Sequence, residues 1–389
     1  LGAALAGVPG LAAALVLLWT GGYARGLQVI LTCLLGGLWV VLMVSLQDRV
    51  SRPLQTLANM LRMHVPKVRA EEQKIELTAA ADRMDGLALS LKGWLRQTLE
   101  DGVYWVETTG GRRPNTKLVC SPVEIGPALR DNLFNEVGTA VLTSATLSVG
   151  QSDFRYFRSR IGLTESREEQ LGSPFDYQQQ AKLVLASEMP DPSSQPREFE
   201  AAACERIRHY IAQSEGGTFV LFTSYRMLRN CADQLMSWFT RQNMKLLCHG
   251  SGMQRTQLLE QFRKHDRAVL FGTDSFWQGV DVPGNALRNV IITKIPFSVP
   301  DHPLLEARVE RIRQRGGNPF MEYQVPEAAI KLRQGFGRLI RTRTDTGQVV
   351  ILDPRMLTKQ YGRIFRDSLP DCRVVVEGSP QTSRHDHEY

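Results

Sequence analysis

An arginine-rich segment near the C-terminus, "KLRQGFGRLIRTRTD" (331–345), carries residue types suited to binding phosphate. Guanidinium groups grip a phosphate through two parallel hydrogen bonds and keep their positive charge at any physiological pH. The same segment contains two glycines, which are poor helix formers. The side chains that could do this chemistry are Arg333, Arg338, Arg341 and Arg343.

The spacing of these residues predicts a two-sided helix. Pro326 is a favoured first helical residue. On a helix, Gln334, Arg338 and Arg341 fall within roughly one 60° sector, and the apolar side chains lie opposite. The glycines remove side chains beside this polar front, which permits close approach of a ligand or of a second backbone. The pattern is compatible with a phosphate-binding front and equally with a solvated basic helix that packs through its apolar side.

Short β-branched or apolar runs that end in Gly, Pro, Ser or Thr predict strands in the rest of the chain. The later runs alternate with helical patterns such as "EFEAAACERIRHYIAQS" and "GMQRTQLLEQFRKH". This alternation predicts an α/β fold in which a parallel sheet is covered on both faces. The predicted strand runs are "GVYWVET", "KLVCSPV", "TAVLTSAT", "GTFVLFTS", "MKLLCHG", "RAVLFGT", "RNVIITKIP" and "GQVVILDP".

Polar residues follow three of the predicted strands. Thr223 and Ser224 follow one of them, His249 and Gly250 follow another, and residues 272–275 follow a third. In parallel α/β sheets, ligands bind at the carboxyl ends of the strands, where loops lead into helices. The sequence therefore places its binding chemistry at this edge of the sheet.

Several stretches together resemble the motifs of superfamily 2 helicases, specifically the DinG/XPD-like branch. "QGFGRLIRT" resembles the sixth motif, "GTDSFWQGVDVPG" (272–284) the fifth, "VLTSATL" (141–147) the third and "TFVLFTSY" (218–225) the fourth. "SPFDYQQQAKLVLASEMPDP" and "VVILDPR" also resemble DinG-type helicases. The motifs occur in the right order, so the resemblance implies a RecA-like fold of the P-loop NTPase type and an ATP-dependent DNA helicase.

The resemblance implies that the arginine-rich segment belongs to a nucleotide site. Arg338 and Arg341 resemble the arginine fingers that stabilise charge on the γ-phosphate as it is transferred, and Gln334 would assist at the nucleotide. Gly279 and Asp281 resemble the nucleotide-side residues of the fifth motif. In this family the arginines of a second RecA-like domain reach phosphates that the first domain holds.

The third motif and the strand ends are also given functions by the resemblance. Thr143, Ser144 and Thr146 would couple the nucleotide state to domain closure through hydroxyl hydrogen bonds. Hydroxyl and backbone N–H groups at strand ends can hold the phosphates of a single DNA strand. The residues implied in this contact are Thr223, Ser224, Tyr225, Gly272 and Thr273.

Two aromatic residues and a glutamine directly precede the second glycine of the fifth motif. Phe276 and Trp277 can stack on bases, but aromatic residues beside a glycine are more often part of a core, and the core interpretation is favoured. Gln278 stands where many members of the family carry an acid, so its function stays open.

Parts of a complete helicase are absent from this sequence. It contains no GxxxxGK[ST] loop to cradle phosphates, and no DEAH-like acidic pair precedes Thr143 to hold Mg²⁺. The four cysteines that hold an iron–sulfur cluster, which is expected in the full-length family, are also missing. The site for ATP and Mg²⁺ is therefore half present, the missing first RecA-like domain is an expected partner, and the isolated chain is expected to be inactive.

The first residues differ from the rest and predict a transmembrane hairpin at 1–47. Two apolar segments, each close to the ~20 residues that a spanning helix needs, flank the turn "TGGYARG". Basic residues follow the second segment, which predicts that the remaining chain is cytoplasmic. Membrane contact would then involve residues 1–46, and residues 48–66 weakly resemble a HAMP-type linker. A core-buried helical pair is the alternative.

The remaining boundaries follow from composition and from the resemblance. The six cysteines lie far apart without a CxxC pair, which predicts reduced thiols and neither a disulfide frame nor a metal site. The predicted segments are 67–100, a helical remnant of the arch insertion; 101–150, the last strands of the first RecA-like domain; 151–378, the second RecA-like domain; and 379–389, a disordered tail.

Net charge is +7 over 389 residues, which permits nucleic acid or an anionic membrane surface as a partner. The expected function is the C-terminal motor portion of an ATP-dependent DNA helicase, with single-stranded DNA as its partner. Two alternatives are a non-catalytic nucleic-acid-binding module and a membrane-anchored signalling fusion. The expected location is the cytoplasm, with membrane anchoring if the hairpin forms.

Overall fold

A computed structural model of the chain describes residues 50–109, 114–277, 282, 286–299 and 301–378. These residues belong to two compact units, one ending at Val123 and the other beginning at Glu124.

The first unit combines helices with a two-stranded sheet. Residues 50–64 are helical and precede helix α1 (Glu71–Arg96), which confirms the helix predicted in this region. Strands β1 (Gly102–Thr108) and β2 (Thr116–Pro122) pair in antiparallel fashion. Trp94 fixes α1 to this hairpin, because its indole Nε1 donates a hydrogen bond of 2.8 Å to the carbonyl of Val119.

Two predictions for the chain termini concern residues that the structure does not describe. The transmembrane hairpin at 1–47 and the disordered tail at 379–389 both lie outside the described residues. Within the described residues, none of the helices combines the length and the apolar character that crossing a bilayer requires.

The second unit is built on a seven-stranded sheet in the order β5-β6-β4-β7-β8-β3-β9, and every neighbouring pair is parallel. Central strands such as β4 are buried along their whole length, as expected when helices cover both faces. The predicted α/β parallel sheet is therefore confirmed. The strands are β3 (Ala181–Ala186), β4 (Thr218–Leu221), β5 (Lys245–Cys248), β6 (Ala268–Gly272), β7 (Asn289–Ile292), β8 (Gly347–Ile351) and β9 (Arg373–Glu377).

Helices cover the two faces of the sheet with separate apolar cores. On one face, α5 and α6 bury side chains such as Phe199 and Phe239. On the other face, α7, α10 and α12 pack around Trp277, Phe336 and Phe365. The helices are α2 (Gly126–Leu129), α3 (Arg155–Ile161), α4 (Tyr177–Gln180), α5 (Pro196–Ser214), α6 (Tyr225–Arg241), α7 (Arg255–Lys264), α8 (Asp274–Trp277), α9 (Pro303–Gln314), α10 (Val325–Phe336), α11 (Arg355–Thr358) and α12 (Gly362–Ser368).

The strand predicted for "TAVLTSAT" is not present. Residues 139–144 have no regular structure, and the side chain of Val141 is 80% exposed. A strand needs a hydrogen-bonding neighbour, and none of the described strands pairs with this run. In contrast, β3 and β9 were not predicted as strands, although they form one end of the sheet.

The prediction that all cysteines are reduced is wrong for one pair. Cys204 of α5 and Cys231 of α6 are joined by a disulfide bond. The two residues are 27 positions apart in sequence and meet only because the two helices pack side by side, which spacing alone does not reveal. Cys120, Cys248 and Cys372 are free thiols, and burial raises the pKa of Cys372 to about 11.

The arginine-rich helix is shorter than predicted. Helix α10 ends at Phe336, so Arg338 and Arg341 lie beyond it and do not share its polar front. The carboxylate of Asp345 accepts hydrogen bonds of 2.8 Å from the backbone N–H groups of Arg341 and Thr342. This local bonding offers the backbone an alternative to helical hydrogen bonds, and it ends the helix together with Gly337 at the C-cap.

One of the two glycines in this segment is required by packing. A Cβ atom placed on Gly335 would lie 3.0 Å from two ring carbons of Trp277 and 3.3 Å from Leu221. A Cβ atom on Gly337 would be 3.4 Å from its nearest neighbour, which is an ordinary contact. The close approach that Gly335 permits is therefore between α10 and the core of its own domain.

This difference gives a testable pair of substitutions. We expect Gly335→Ala to lower the free energy of unfolding by about 1–3 kcal/mol, because the added methyl group overpacks against Trp277. Gly337→Ala is the matched control, and it should leave that free energy unchanged or raise it by up to about 1 kcal/mol. Urea denaturation followed by circular dichroism measures both. Equal effects of the two substitutions would contradict the packing account.

Candidate functional site

Three strand ends bring polar side chains together at the carboxyl edge of the sheet. Strand β6 lies between β5 and β4, so the residues that follow these strands become neighbours. His249 Nδ1 lies 2.8 Å from Thr273 Oγ1 and 3.1 Å from Tyr225 Oη. Ser275 Oγ is 3.5 Å from His249 Nε2. We call Tyr225, His249, Thr273 and Ser275 the strand-end cluster.

His249 is the centre of this cluster, and it was not among the predicted contacts, although its position after a strand was noted. Its ring lies between those of Tyr225 and Phe276, with centroid distances of 5.1 and 5.0 Å. Burial, and then the positive charge of Arg255, lowers the pKa of His249 below its ordinary value. The imidazole is therefore neutral at physiological pH and can both donate and accept a hydrogen bond.

The exposed member of the cluster is Tyr225. Tyr225 is 44% exposed, which leaves an aromatic surface open to a ligand, while its hydroxyl lies within hydrogen-bond distance of His249. Thr273, in contrast, is only 3% exposed, and its hydroxyl is engaged with His249. Within the cluster, Tyr225 is thus better placed than Thr273 for direct contact with a base.

The other predicted strand-end contacts are partly used by the fold itself. Ser224 caps helix α6, and its hydroxyl accepts a hydrogen bond of 3.3 Å from the backbone N–H of Met227. Thr223 is only partly buried. The carbonyl of Gly272 accepts from Phe222 N at 2.8 Å, and a Cβ atom here would lie 2.7 Å from Phe276 Cβ. Gly272 is thus required by close packing.

Phe276 and Trp277 are core residues, as the favoured interpretation predicted. Both side chains are fully buried. The indole Nε1 of Trp277 donates a hydrogen bond of 3.2 Å to the carbonyl of Phe222, which follows β4. Helix α8 is therefore anchored in the core through its last two side chains and cannot present them to bases.

Arg338 is held against the end of α8. Its side chain is only 7% exposed, and its Nε and Nη2 atoms donate hydrogen bonds of 3.1 and 2.7 Å to the carbonyl of Trp277. A buried guanidinium needs such partners, because an unpaired buried charge is very costly. Arg338 thus connects the loop after α10 to α8, the helix that follows Thr273 of the strand-end cluster.

The third-motif segment reaches the same region and contacts α10. Gln334 Nε2 donates a hydrogen bond of 3.3 Å to Thr146 Oγ1, and Arg333 Nη1 lies 3.5 Å from Ser148 Oγ. Thr143 and Ser144 are exposed. The structure therefore brings together Gln334 and Thr146, which were predicted, and Arg333 and Ser148, which were not predicted as a pair because no sequence signal links them.

The amide of Gln334 has an unused polar atom. Its Oε1 atom is buried and accepts no hydrogen bond in the described part of the chain. Amide oxygen and nitrogen positions are assigned from the hydrogen-bond network, so in either orientation one polar atom of this amide has no partner. A buried polar group of this kind indicates room for a polar ligand atom.

Two arginines of the arginine-rich segment act on the phenol of Tyr177. The guanidinium groups of Arg333 and Arg341 both act to lower the pKa of Tyr177, although burial raises it overall. Burial also lowers the pKa of Arg333 itself. Both guanidinium groups therefore lie near Tyr177, and guanidinium groups are donors that fit the oxygens of a phosphate chain.

Gly279 and Asp281 lie outside the described residues. In the described ranges, His, Cys, Asp and Glu side chains do not gather in groups of three or more that could hold a metal ion.

Part of the chain matches a known protein family. Residues 207–372 match a family model described as "Helicase C-terminal domain". The matched family is thus a helicase domain. The match includes the strand-end cluster, α10 and Arg338, but it does not include residues 143–148 of the third-motif segment.

Two curated relatives have related names. "ATP-dependent DNA helicase YoaA" of Escherichia coli is 40% identical over 267 residues, which are 69% of this chain and 40% of the relative. "ATP-dependent DNA helicase DinG" of Photobacterium profundum is 38% identical over 281 residues, which are 71% of this chain and 40% of the relative. The chain therefore spans 40% of the length of each of these relatives.

Solved structures confirm the RecA-like fold class. A structure described as "XPD_APO" aligns with a TM-score of 0.52 and 14% identity, covering 82% of this chain and 62% of that one. The structure of Xpd4 from S. tokodaii aligns with a TM-score of 0.50 and 14% identity, covering 86% of this chain and 69% of that one. At this identity the likeness is one of fold.

The lowered pKa of His249 predicts a pH dependence of stability. The folded state disfavours the protonated imidazole, so the unfolded state binds the proton more readily and stability falls as pH falls below the ordinary value of 6.5. We expect the unfolding midpoint of the wild type to decrease more between pH 8 and pH 5 than that of His249→Gln, which cannot be protonated. Parallel pH profiles for the two proteins would contradict the burial of His249 as its cause.

Proposed function

We propose that this chain supplies the second RecA-like motor domain of an ATP-dependent DNA helicase of the DinG type. In this proposal the strand-end cluster and its neighbours hold single-stranded DNA, and Gln334, Arg338 and Arg341 face the phosphates of ATP bound by another domain. The support comes from the helicase match of residues 207–372, from the relatives, and above all from one contact in the site.

That contact is the pair of hydrogen bonds from Arg338 to the carbonyl of Trp277. Thr273 begins the turn into α8, and Trp277 ends this helix. A helix of four residues thus joins the strand-end cluster at one end to Arg338, the proposed nucleotide-side arginine, at the other. Such a short rigid connection is what a motor needs, because a movement of the nucleotide-side arginine is transmitted directly to the DNA side.

This chain would supply only part of the nucleotide site. Gln334 would bind a polar ligand atom with the one polar atom of its amide that has no partner, and Arg341 would place its charge near the γ-phosphate. ATP would supply the phosphoryl group, and Mg²⁺ would neutralise its charge. The GxxxxGK[ST] loop and the acidic pair are absent from the sequence, so the proposal requires a neighbouring domain to hold both. The iron–sulfur cluster has no part here, because its four-cysteine set is absent.

Thr146 would respond to the binding of that nucleotide. Its hydroxyl receives a hydrogen bond from Gln334, so a ligand that binds the Gln334 amide acts directly on the third-motif segment. Thr143 and Ser144 are exposed and available to a neighbouring domain. We infer that this segment couples nucleotide binding to closure of the two domains.

The nucleotide assignment is tested in a complete motor. A chimera joins residues 124–378 to the remaining part of the Escherichia coli relative, and DNA-stimulated ATP hydrolysis is measured. We expect Arg341→Ala to lower the rate by about 100-fold or more, because charge on the transferred phosphoryl group loses its stabilisation. Binding of single-stranded DNA should change by less than about twofold, since the strand-end cluster is untouched.

Arg343→Ala is the matched control, because Arg343 is an exposed arginine of the same turn. It should leave ATP hydrolysis unchanged. If the chimera carrying Arg341→Ala hydrolyses ATP at the wild-type rate, Arg341 is not an arginine finger. A folded wild-type chimera without any ATP hydrolysis would contradict the motor proposal itself.

We expect the isolated chain to bind single-stranded DNA without hydrolysing ATP, because it contains all four residues of the strand-end cluster. We expect it to bind a fluorescent oligo(dT), with affinity that falls as salt rises. Tyr225→Ala should weaken binding about tenfold, because base stacking on an aromatic ring is lost. Tyr225→Phe keeps the ring and should bind within about twofold of the wild type. Fluorescence anisotropy at two salt concentrations measures both. Equal losses in the two variants would exclude stacking on this ring.

A further inference from the structure

Lys294 occupies a fixed position at the carboxyl edge of the sheet, immediately beyond β7. The backbone N–H of Thr293 donates a hydrogen bond of 3.1 Å to the carbonyl of Leu221, at the end of β4. On the other side, the N–H of Ile295 donates one of 2.8 Å to the carboxylate of Asp353, which follows β8. Lys294 is therefore held between the ends of two neighbouring strands.

The ammonium group of Lys294 is partly desolvated. Its Nζ atom lies 4.9 Å from the centroid of the buried Phe199 ring, above the ring face. The side chain forms no ion pair within the described part of the chain, and this ring is its direct partner. Burial lowers the pKa of Lys294, and Glu200 and Asp353 offset the effect in part.

The two nearby carboxylates are already engaged by other cations. Glu200 receives a hydrogen bond of 2.5 Å from Arg226 Nη2. Asp353 receives two from Arg355, of 2.9 and 2.6 Å, in addition to the backbone N–H of Ile295. Arg226, Arg355 and Lys294 therefore share two carboxylates. Of these three cations, Lys294 is the one without a direct counter-ion.

A partly buried cation without a counter-ion is unfavourable unless an anion can reach it. Arg226 lies next to Tyr225 in the chain, and its side chain is 69% exposed. Strand β7 neighbours β4, so Lys294 lies one strand away from the strand-end cluster, about 4.8 Å in the direction across the sheet. A polyanionic strand that is bound at the cluster therefore reaches Lys294.

The face of the sheet on which Lys294 packs bears on whether it would bind a phosphate of DNA or of the nucleotide. Lys294 packs on Phe199 of α5, in the core shared with α6, which carries Tyr225 at its first position. Gln334 belongs to α10, which packs on the other face. Lys294 thus packs on the same face of the sheet as α6, which begins at Tyr225, and on the opposite face from Gln334.

We propose that Lys294, assisted by Arg226, binds a backbone phosphate of the single strand that the strand-end cluster holds. This inference rests on the proposed function and extends the DNA contact from β5, β6 and β4 to β7. Phosphate contacts of this kind position a strand without reading its sequence, so the contact is independent of the bases.

The test uses the 389-residue chain and fluorescent oligo(dT) in anisotropy titrations at two or more salt concentrations. We expect Lys294→Met to weaken binding about fivefold to tenfold at low salt and to reduce the slope of log affinity against log salt by about 0.7, as expected for one lost phosphate contact on a single strand. Lys294→Met keeps an apolar stem over Phe199, and Lys294→Arg keeps the charge and should bind like the wild type.

Arg241→Gln is the matched control. It also removes one positive charge, but Arg241 ends α6 at the far end from Tyr225, about 24 Å along the helix. If Lys294→Met and Arg241→Gln change affinity and salt slope equally, the inference is wrong while the strand-end cluster keeps its proposed function. A change in melting temperature without a change in affinity would likewise overturn it, because Lys294 would then act only through Phe199. Absence of oligo(dT) binding by the wild type would overturn both the inference and the proposed DNA contact.

Discussion

A buried guanidinium at the carboxyl end of α8 holds the candidate site together. Arg338 cannot leave the carbonyl of Trp277 without exposing a desolvated charge, and Trp277 cannot move without disturbing the carbonyl of Phe222 and the packing of Gly335. The loop after α10, the short helix α8 and the end of β4 therefore behave as one rigid piece.

The sheet separates the residues that we propose for nucleotide binding from Tyr225, which we propose for DNA binding. One face carries α10, with the amide of Gln334 and the guanidinium of Arg333. The other carries α6, with Tyr225 at its first position. Helix α8 lies at the carboxyl edge and packs its last two side chains into the core on the α10 face. A parallel sheet provides this arrangement, because the carboxyl ends of all its strands lie at the same edge.

Sequence patterns predicted the parallel sheet and the edge at which polar residues gather, because these follow from hydrophobic runs and from the chemistry of strand ends. They did not predict where α10 ends, since that depends on the carboxylate of Asp345. Nor did they predict the pairing of Cys204 with Cys231, which requires knowing that α5 and α6 are neighbours. His249 was noted as a strand-end residue, but its central position depends on β6 lying between β5 and β4.

The exposed run at residues 139–144 has a consequence for handling the protein. Val141 and Leu142 present apolar side chains to water, and their backbone has no sheet partner among the described strands. Exposed apolar side chains of this kind favour contact with other apolar surfaces. Concentrated solutions of this chain will therefore tend to self-associate through this run, and a charged residue in place of Val141 is a simple remedy for preparative work.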